Sequence, residues 1–523
     1  MSADAQRPRP KHACETCKAR KKKCNKGVPA CSYCILKDLE CRYIPLRPRR
    51  AYATPSTGDS SHTATYREGV GAKTVYNRTR TLSDTARPQV TASRHTISRP
   101  LFESPDDVRI EVQRIIQSTG EFVDDLTSLY FRTLHVHLPI ISRVRFQRSI
   151  LATGSGSAPG PDFSVLLLTI CLNTYIPNPD RRVQEGAVAG ITRQRLYVST
   201  KALLAQVQGS MQQCSVPLIQ ASLLLSMYEY ASGKADIALA TVAACARMAY
   251  AAGIHTSRRD ITDATARLEA AEAWNLWWGI VVCERTFMCE AAAPEQPLLT
   301  TFPTGDATLP VDRHMLDHED LLLDPDLVVP NMPLLSSLTE PNVGGFARAA
   351  QACCLLGRIF EAMRVSGLDA RLPRLESLDK SLQSFLSLIL SQGPDKSWHH
   401  CTALAVTLRS LFILHTHILA IPHETISINF RPLDDWKQST RAALDTATTM
   451  VLDMANWHYD VLPPDRPSDI SPMQIYVVHA TLENLRTRVY DRGSDSDSGS
   501  LWPESAEGDL RRYLGRIRFQ WVS

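Results

Sequence analysis

Six cysteines fall between positions 14 and 41: Cys14, Cys17, Cys24, Cys31, Cys34 and Cys41. Their spacing is C-x2-C-x6-C-x6-C-x2-C-x6-C. A C-x2-C pair places two sulfurs on one ion, at about 2.3 Å if the ion is zinc. Two tetrahedral ions need eight bonds, and six sulfurs supply eight only if two of them bridge. The count therefore predicts a two-metal cluster. A catalytic zinc keeps a position open for water or substrate, and this count leaves none. No histidine pair follows at the spacing of a two-cysteine, two-histidine finger.

The residues between the cysteines explain why a metal is needed. The large apolar residues there are only Val28, Tyr33, Ile35, Leu36 and Leu39, too few for a core. Metal ligation must supply the folding energy. Five of the six residues between Cys17 and Cys24 are cationic: Lys18, Arg20, Lys21, Lys22 and Lys23. Six thiolates and two Zn²⁺ add −2 to the +10 of residues 1–50, leaving about +8. A short helix from Glu15 through this run presents a compact cationic patch to phosphates, the electrostatic footprint of a duplex-binding module. A solvated basic run, or a nuclear import signal with Arg47, Arg49 and Arg50 beyond it, is the plainer alternative.

Net charge separates head from body. The chain has 523 residues and a net charge of +4, but the first hundred carry +14 and the other 423 carry −10. Only the head calls for a polyanionic partner. The remaining eight cysteines (171, 214, 245, 283, 289, 353, 354 and 401) are scattered through apolar helical sequence and read as buried free thiols. The opening residues lack the apolar stretch of a secretion signal. Uninterrupted apolar runs, the longest near 165–172 and 276–283, stop at buried-helix length, so no membrane partner is expected.

Three regions follow. Residues 1–50 form the metal-folded module. Residues 51–103 are expected to be a disordered linker: 22 of the 50 residues from 51 to 100 are Ser, Thr, Gly or Pro, and five are Val, Ile, Leu or Phe. Residues 104–523 are expected to be a large all-α domain. Ser104-Pro105-Asp106-Asp107 spells a helix start, with Val108, Val112, Ile115 and Ile116 on one face. Helical spacing recurs at 218–230 and 404–419, between breaks rich in Pro and Gly, and strand-type alternation is scarce. Residues 491–510, with six acids and one base, read as a loop.

The six-cysteine stretch resembles the fungal binuclear zinc cluster transcription factors tightly over residues 14–43, including Pro29 and the Cys41-Arg42-Tyr43 exit. The resemblance implies Zn2Cys6 ligation, with Cys14 and Cys31 as bridging thiolates. Cys17 and Cys24 would complete one metal, Cys34 and Cys41 the other. It implies that Lys21 reads a CGG triplet in the major groove while Lys18, Arg20 and Lys23 mostly meet phosphate, with Lys22 in the same patch. More loosely, residues 122–330 are similar to the family's regulatory region. The matching stretches are 122–146, Cys245 to His255, Glu272 to Arg285 with Trp277-Trp278, and Leu309 to Asp312. The departures are the segment before Trp277-Trp278, where the family usually has basic residues, and Glu284, where it usually has Asp. Trp274, Trp277 and Trp278 read as core.

Other chemistry is thin. His399-His400-Cys401 reads as a helix start, since adjacent helical residues point about 100° apart. Cys353-Cys354 reads as core filler, and the acid- and leucine-rich 317–329 as a surface loop or an activation segment. No phosphate-binding glycine loop or nucleophile elbow occurs, so no enzyme is expected. No heptads follow the cluster, so either the helical domain dimerises or single triplets are bound. The resulting expectation is a zinc-dependent nuclear regulator of RNA polymerase II transcription, bound to double-stranded DNA and the transcription machinery. By analogy it controls one pathway, such as secondary metabolism or nutrient use. The competing classes are a zinc- or redox-sensing thiolate protein and a corepressor-type interaction protein.

Overall fold

Ser104 caps the first described helix of the body as its sequence predicts. Its side chain accepts from the Asp107 N–H at 3.3 Å, and the Asp107 carboxylate accepts from the Ser104 N–H at 3.0 Å. This reciprocal cap is worth about 1 kcal/mol. The helix, α1 (Pro105–Thr119), ends at Gly120, whose φ of 73° is the left-handed conformation glycine adopts without penalty. Val108, Val112, Ile115 and Ile116 are all buried.

The computed structural model describes residues 17–18, 23–26, 31, 34, 41, 104–152, 160–177, 191–256, 261, 263–292, 296–301, 304–318, 333–341, 343–392, 400–421, 433–461, 470–492, 502 and 505–522. The expected linker over 51–103 lies outside them. The chain divides into two compact units, Met1–Arg94 and His95–Ser523. In the larger unit the described helices continue as α2 (Val123–Arg132), α3 (Leu134–His137), α4 (Arg143–Ala152), α5 (Pro161–Thr174), α6 (Arg193–Ser210), α7 (Val216–Ala231) and α8 (Ala235–Ala251). They are followed by α9 (Ala264–Met288), α10 (Arg313–Asp317), α11 (Gly345–Met363), α12 (Leu368–Ser391), α13 (Cys401–Leu419), α14 (Leu433–Val461), α15 (Gln474–Arg492) and α16 (Ala506–Val522). The only β feature among the described residues is one isolated bridge, Thr308 to Leu334.

The centre is built from helices that are apolar all round, as burial on every side requires. Every residue of α7 from Leu218 to Ala231 is buried. Helix α5 packs on α7, and α1 and α2 pack on α5. Helix α9 crosses near Gly279, where an added Cβ would meet Ile140 Cγ2 at 2.8 Å and Leu223 Cδ2 at 3.1 Å. Buried polar groups on α9 hold extended segments against it. The Asn275 side chain donates to Pro139 O and Val311 O, and it accepts from Val311 N. The Glu272 carboxylate accepts from Ser142 N and Gln220 Nε2, both at 2.9 Å, and from Arg145. Trp274, Trp277 and Trp278 are buried, and the indoles of Trp274 and Trp278 both donate to Thr308 O. They are core residues, as read.

Two expectations are corrected. Helix α13 is long and apolar enough by length and composition to cross a bilayer, and counting only unbroken apolar runs passed over it. It is largely buried against α11, α14 and α15, and its Arg409 pairs with Glu290 at 2.9 Å. The range 491–510, expected to be a loop, is helical at both ends. Helix α15 runs to Arg492, Trp502 is buried with its indole donating to Thr449 Oγ1, and α16 starts at Ala506. A bulky aromatic outweighs the acidic composition around it.

Candidate metal centre and nucleic-acid interface

In the smaller unit the described residues are Cys17, Lys18, Lys23, Cys24, Asn25, Lys26, Cys31, Cys34 and Cys41. Cys14, Arg20, Lys21 and Lys22 lie outside them. Cys17, Lys18 and Cys34 are helical. Lys26 has φ of 58°, a left-handed turn that the sequence reading did not mark. The only local signal for it is the neighbouring Asn25 and Gly27, residue types that favour turns.

The thiols converge in two sets. The sulfurs of Cys17, Cys24 and Cys31 lie within 4.8 Å of one another, and so do those of Cys31, Cys34 and Cys41. Cys31 belongs to both sets. The Cys17 and Cys31 sulfurs are 3.6 Å apart, far beyond the ~2.05 Å of a disulfide. The edge of a tetrahedron with 2.3 Å bonds is about 3.8 Å, so the spacing suits two thiolates on one zinc ion. The Cys31 N–H donates to Cys41 Sγ at 3.3 Å, a contact that favours the thiolate form. Cys17, Cys31 and Cys34 are fully buried, while Cys24 and Cys41 are half-buried. The donor set therefore fits a thiolate-bound metal pair. Lys18 and Lys23 are exposed, so cations face outward around an inward sulfur cluster.

The body's thiols behave differently. Burial pushes Cys171, Cys289, Cys353 and Cys401 up to about 12, so they stay protonated and inert at neutral pH. Cys353 is buried and Cys354 half-buried, as core filling requires. Cys401 opens α13 beside the buried His400. No further metal-type cluster appears among the described residues.

Comparison with known proteins agrees with this geometry. The model of the fungal Zn(2)-Cys(6) binuclear cluster domain matches residues 12–51. That of the fungal specific transcription factor domain matches residues 127–290. Transcription factor BOA15 of Botryotinia fuckeliana (strain B05.10) is 30% identical over 136 residues, 25% of this chain and 68% of the relative. Transcription factor kojR of Aspergillus flavus (strain ATCC 200026 / FGSC A1120 / IAM 13836 / NRRL 3357 / JCM 12722 / SRRC 167) is 24% identical over 203 residues, 36% of each chain. No solved structure matches the chain. The chain belongs to the fungal Zn(2)-Cys(6) transcription factors. Its N-terminal module is a DNA-binding domain that carries two zinc ions, followed by a helical transcription factor domain.

Proposed function

We propose that this protein is a nuclear, sequence-specific regulator of RNA polymerase II transcription that binds CGG-type triplets in double-stranded DNA and controls one pathway. The observation that carries the reading is the membership of Cys31 in both sulfur sets, as a bridging thiolate requires. Cys14, Cys17, Cys24, Cys31, Cys34 and Cys41 ligate the two Zn²⁺ ions, with Cys14 shared as Cys31 is. Lys18, Arg20, Lys22 and Lys23 neutralise phosphates, and Lys21 reaches base edges. Residues 1–50 are the DNA-binding domain, 51–103 the linker and 104–523 the regulatory domain. The pathway, secondary metabolism or nutrient use, rests on analogy with regulators of this layout. No membrane is involved, and the burial of α13 supports this.

The test is selection of bound sites from random duplexes by the zinc-loaded protein at physiological salt. Enrichment of CGG supports the reading, and the spacing of paired triplets reports whether a dimer binds. Zinc retention with equal, salt-sensitive binding to every sequence would overturn it in favour of a thiolate sensor or a corepressor-type protein.

A further inference from the structure

Helices α15 and α16 leave an open groove of about 550 Å³ between them, a volume suited to a small ligand. Positions 479, 482, 483 and 486 line it from α15, and 511, 514, 515 and 518 from α16. Each set follows the i, i+3, i+4, i+7 spacing of one helical face. Leu482 and Leu514 are buried and form an apolar floor.

The charges are arranged by position. At one end, Glu507 accepts from Arg511 at 2.6 Å and from Arg486 at 3.4 Å, so these two guanidinium groups share one carboxylate. At the other end, Arg518 Nη2 lies 2.8 Å from His479 Nε2. Burial, with Arg518 and Arg409 nearby, pulls His479 down to about 4, so at neutral pH it accepts from Arg518 as an uncharged ring. No ion pair to Arg518 occurs among the described residues. Three arginines face Glu483 and Glu507, which leaves the groove one positive charge in excess, and Arg518 is the arginine that does not share Glu507.

Gly515 is the second observation. A glycine inside a helix is destabilising relative to alanine. Here an added Cβ would meet nothing within 4 Å, so close packing does not require the glycine. Its effect is to keep the middle of the groove open.

We infer that the α15–α16 groove binds a small organic monocarboxylate with an apolar body, its carboxylate on Arg518 and its chain over Leu482 and Leu514. One surplus charge and a glutamate on the wall suit a single carboxylate better than a polyphosphate or a nucleic acid. The site lies in the helical domain and does not rest on the reading of DNA binding.

Isothermal titration of the zinc-loaded full-length protein without DNA tests this, using sodium octanoate as the probe. Octanoate is expected to bind, with n-octanol and inorganic phosphate at least tenfold weaker. Arg518→Met keeps an apolar stem and removes the charge, and should weaken octanoate at least tenfold. Gly515→Trp should do the same by filling the groove, with the melting temperature showing whether the fold persists. Arg512→Met should change nothing, since Arg512 pairs with Asp509 outside the groove. No octanoate binding, unchanged affinity in Arg518→Met, or equal binding of octanol or phosphate would overturn the inference.

Discussion

The Glu284 carboxylate and the Arg285 guanidinium, on adjacent residues of α9, meet at 3.1 Å with both side chains almost wholly buried. Neighbours on a helix point about 100° apart, and these two meet because both turn toward Thr300. Glu284 accepts from Leu299 N at 2.6 Å and Thr300 N at 3.1 Å, while Arg285 Nη2 donates to Thr300 O at 2.8 Å. Burial lowers the Arg285 pKa and the adjacent carboxylate opposes that shift. The pair fastens the 296–301 segment to the core.

Glu284→Gln removes the carboxylate nearest a buried cation, and breaking such a pair costs about 3–5 kcal/mol. Urea unfolding followed by tryptophan fluorescence measures this. All eight tryptophans lie beyond residue 273, so the signal reports the helical domain alone. Replacing both partners, as Glu284→Leu with Arg285→Met, should cost less than the two single changes together. A loss below about 1 kcal/mol in Glu284→Gln would show that the pair does not hold the segment.

The proposed sharing of Cys31 predicts an order among the ligands. Native mass spectrometry of the wild type should show two zinc ions, lost at low pH as the thiolates protonate. Cys31→Ala removes a bond from both ions and should abolish metal and DNA binding. Cys41→Ala removes one bond from one ion and should be at most equally severe. Higher zinc retention in Cys31→Ala than in Cys41→Ala would contradict the shared sulfur.

The roles proposed for Lys21 and Lys18 predict that their substitutions separate specificity from affinity. A base contact carries sequence information and a phosphate contact does not. Lys21→Ala should cost about 1–3 kcal/mol on a CGG duplex and much less on random duplex. Lys18→Ala should weaken both alike and lower the salt slope by roughly one unit. Both variants should keep two zinc ions. Equal losses on both duplexes for Lys21→Ala, with metal retained, would reduce that lysine to a phosphate contact.

His458 predicts acid sensitivity of the body. It is buried, with Tyr513 Oη 2.9 Å from Nδ1 and Cys401 Sγ 3.9 Å from Nε2. Burial, reinforced by His137 and Arg516, pulls it down to about 4, with a backbone bond at Met454 opposing. The unfolded chain takes up this proton near pH 6.5 and the folded chain does not. Its contribution is therefore constant above that pH and falls as pH drops toward 4, by about 3 kcal/mol. Stability measured by tryptophan fluorescence should decline over that window in the wild type, and less steeply in His458→Gln. Equal slopes would place the sensitivity elsewhere.

The metal module was legible because its signal is local. The ligands fall within 28 residues, and their count alone implies sharing. Helix starts were legible for the same reason, as Ser104 and Asp107 show. What escaped depends on residues far apart in the chain. His479 and Arg518 are 39 positions apart, and nothing in either neighbourhood announces the other. Glu284 was noted only as a departure from a family pattern, and its contact with Thr300 belongs to the fold. Helix α13 shows the limit of composition: a core helix and a membrane helix share the same apolar run, and only its neighbours distinguish them.

The seating of α16 sets the timing of the body's assembly on the ribosome. Leu510, Tyr513 and Ile517 are fully buried, and the helix packs on α7, α14 and α15. Of the described helices it is the last to be synthesised, long after α7. Until it arrives, the nascent chain exposes an apolar seam of the kind chaperones cover. The zinc ligands, all within the first 41 residues, emerge first and need none of these helices. A premature stop late in the message is therefore expected to yield a metal-loaded head on a body that cannot close.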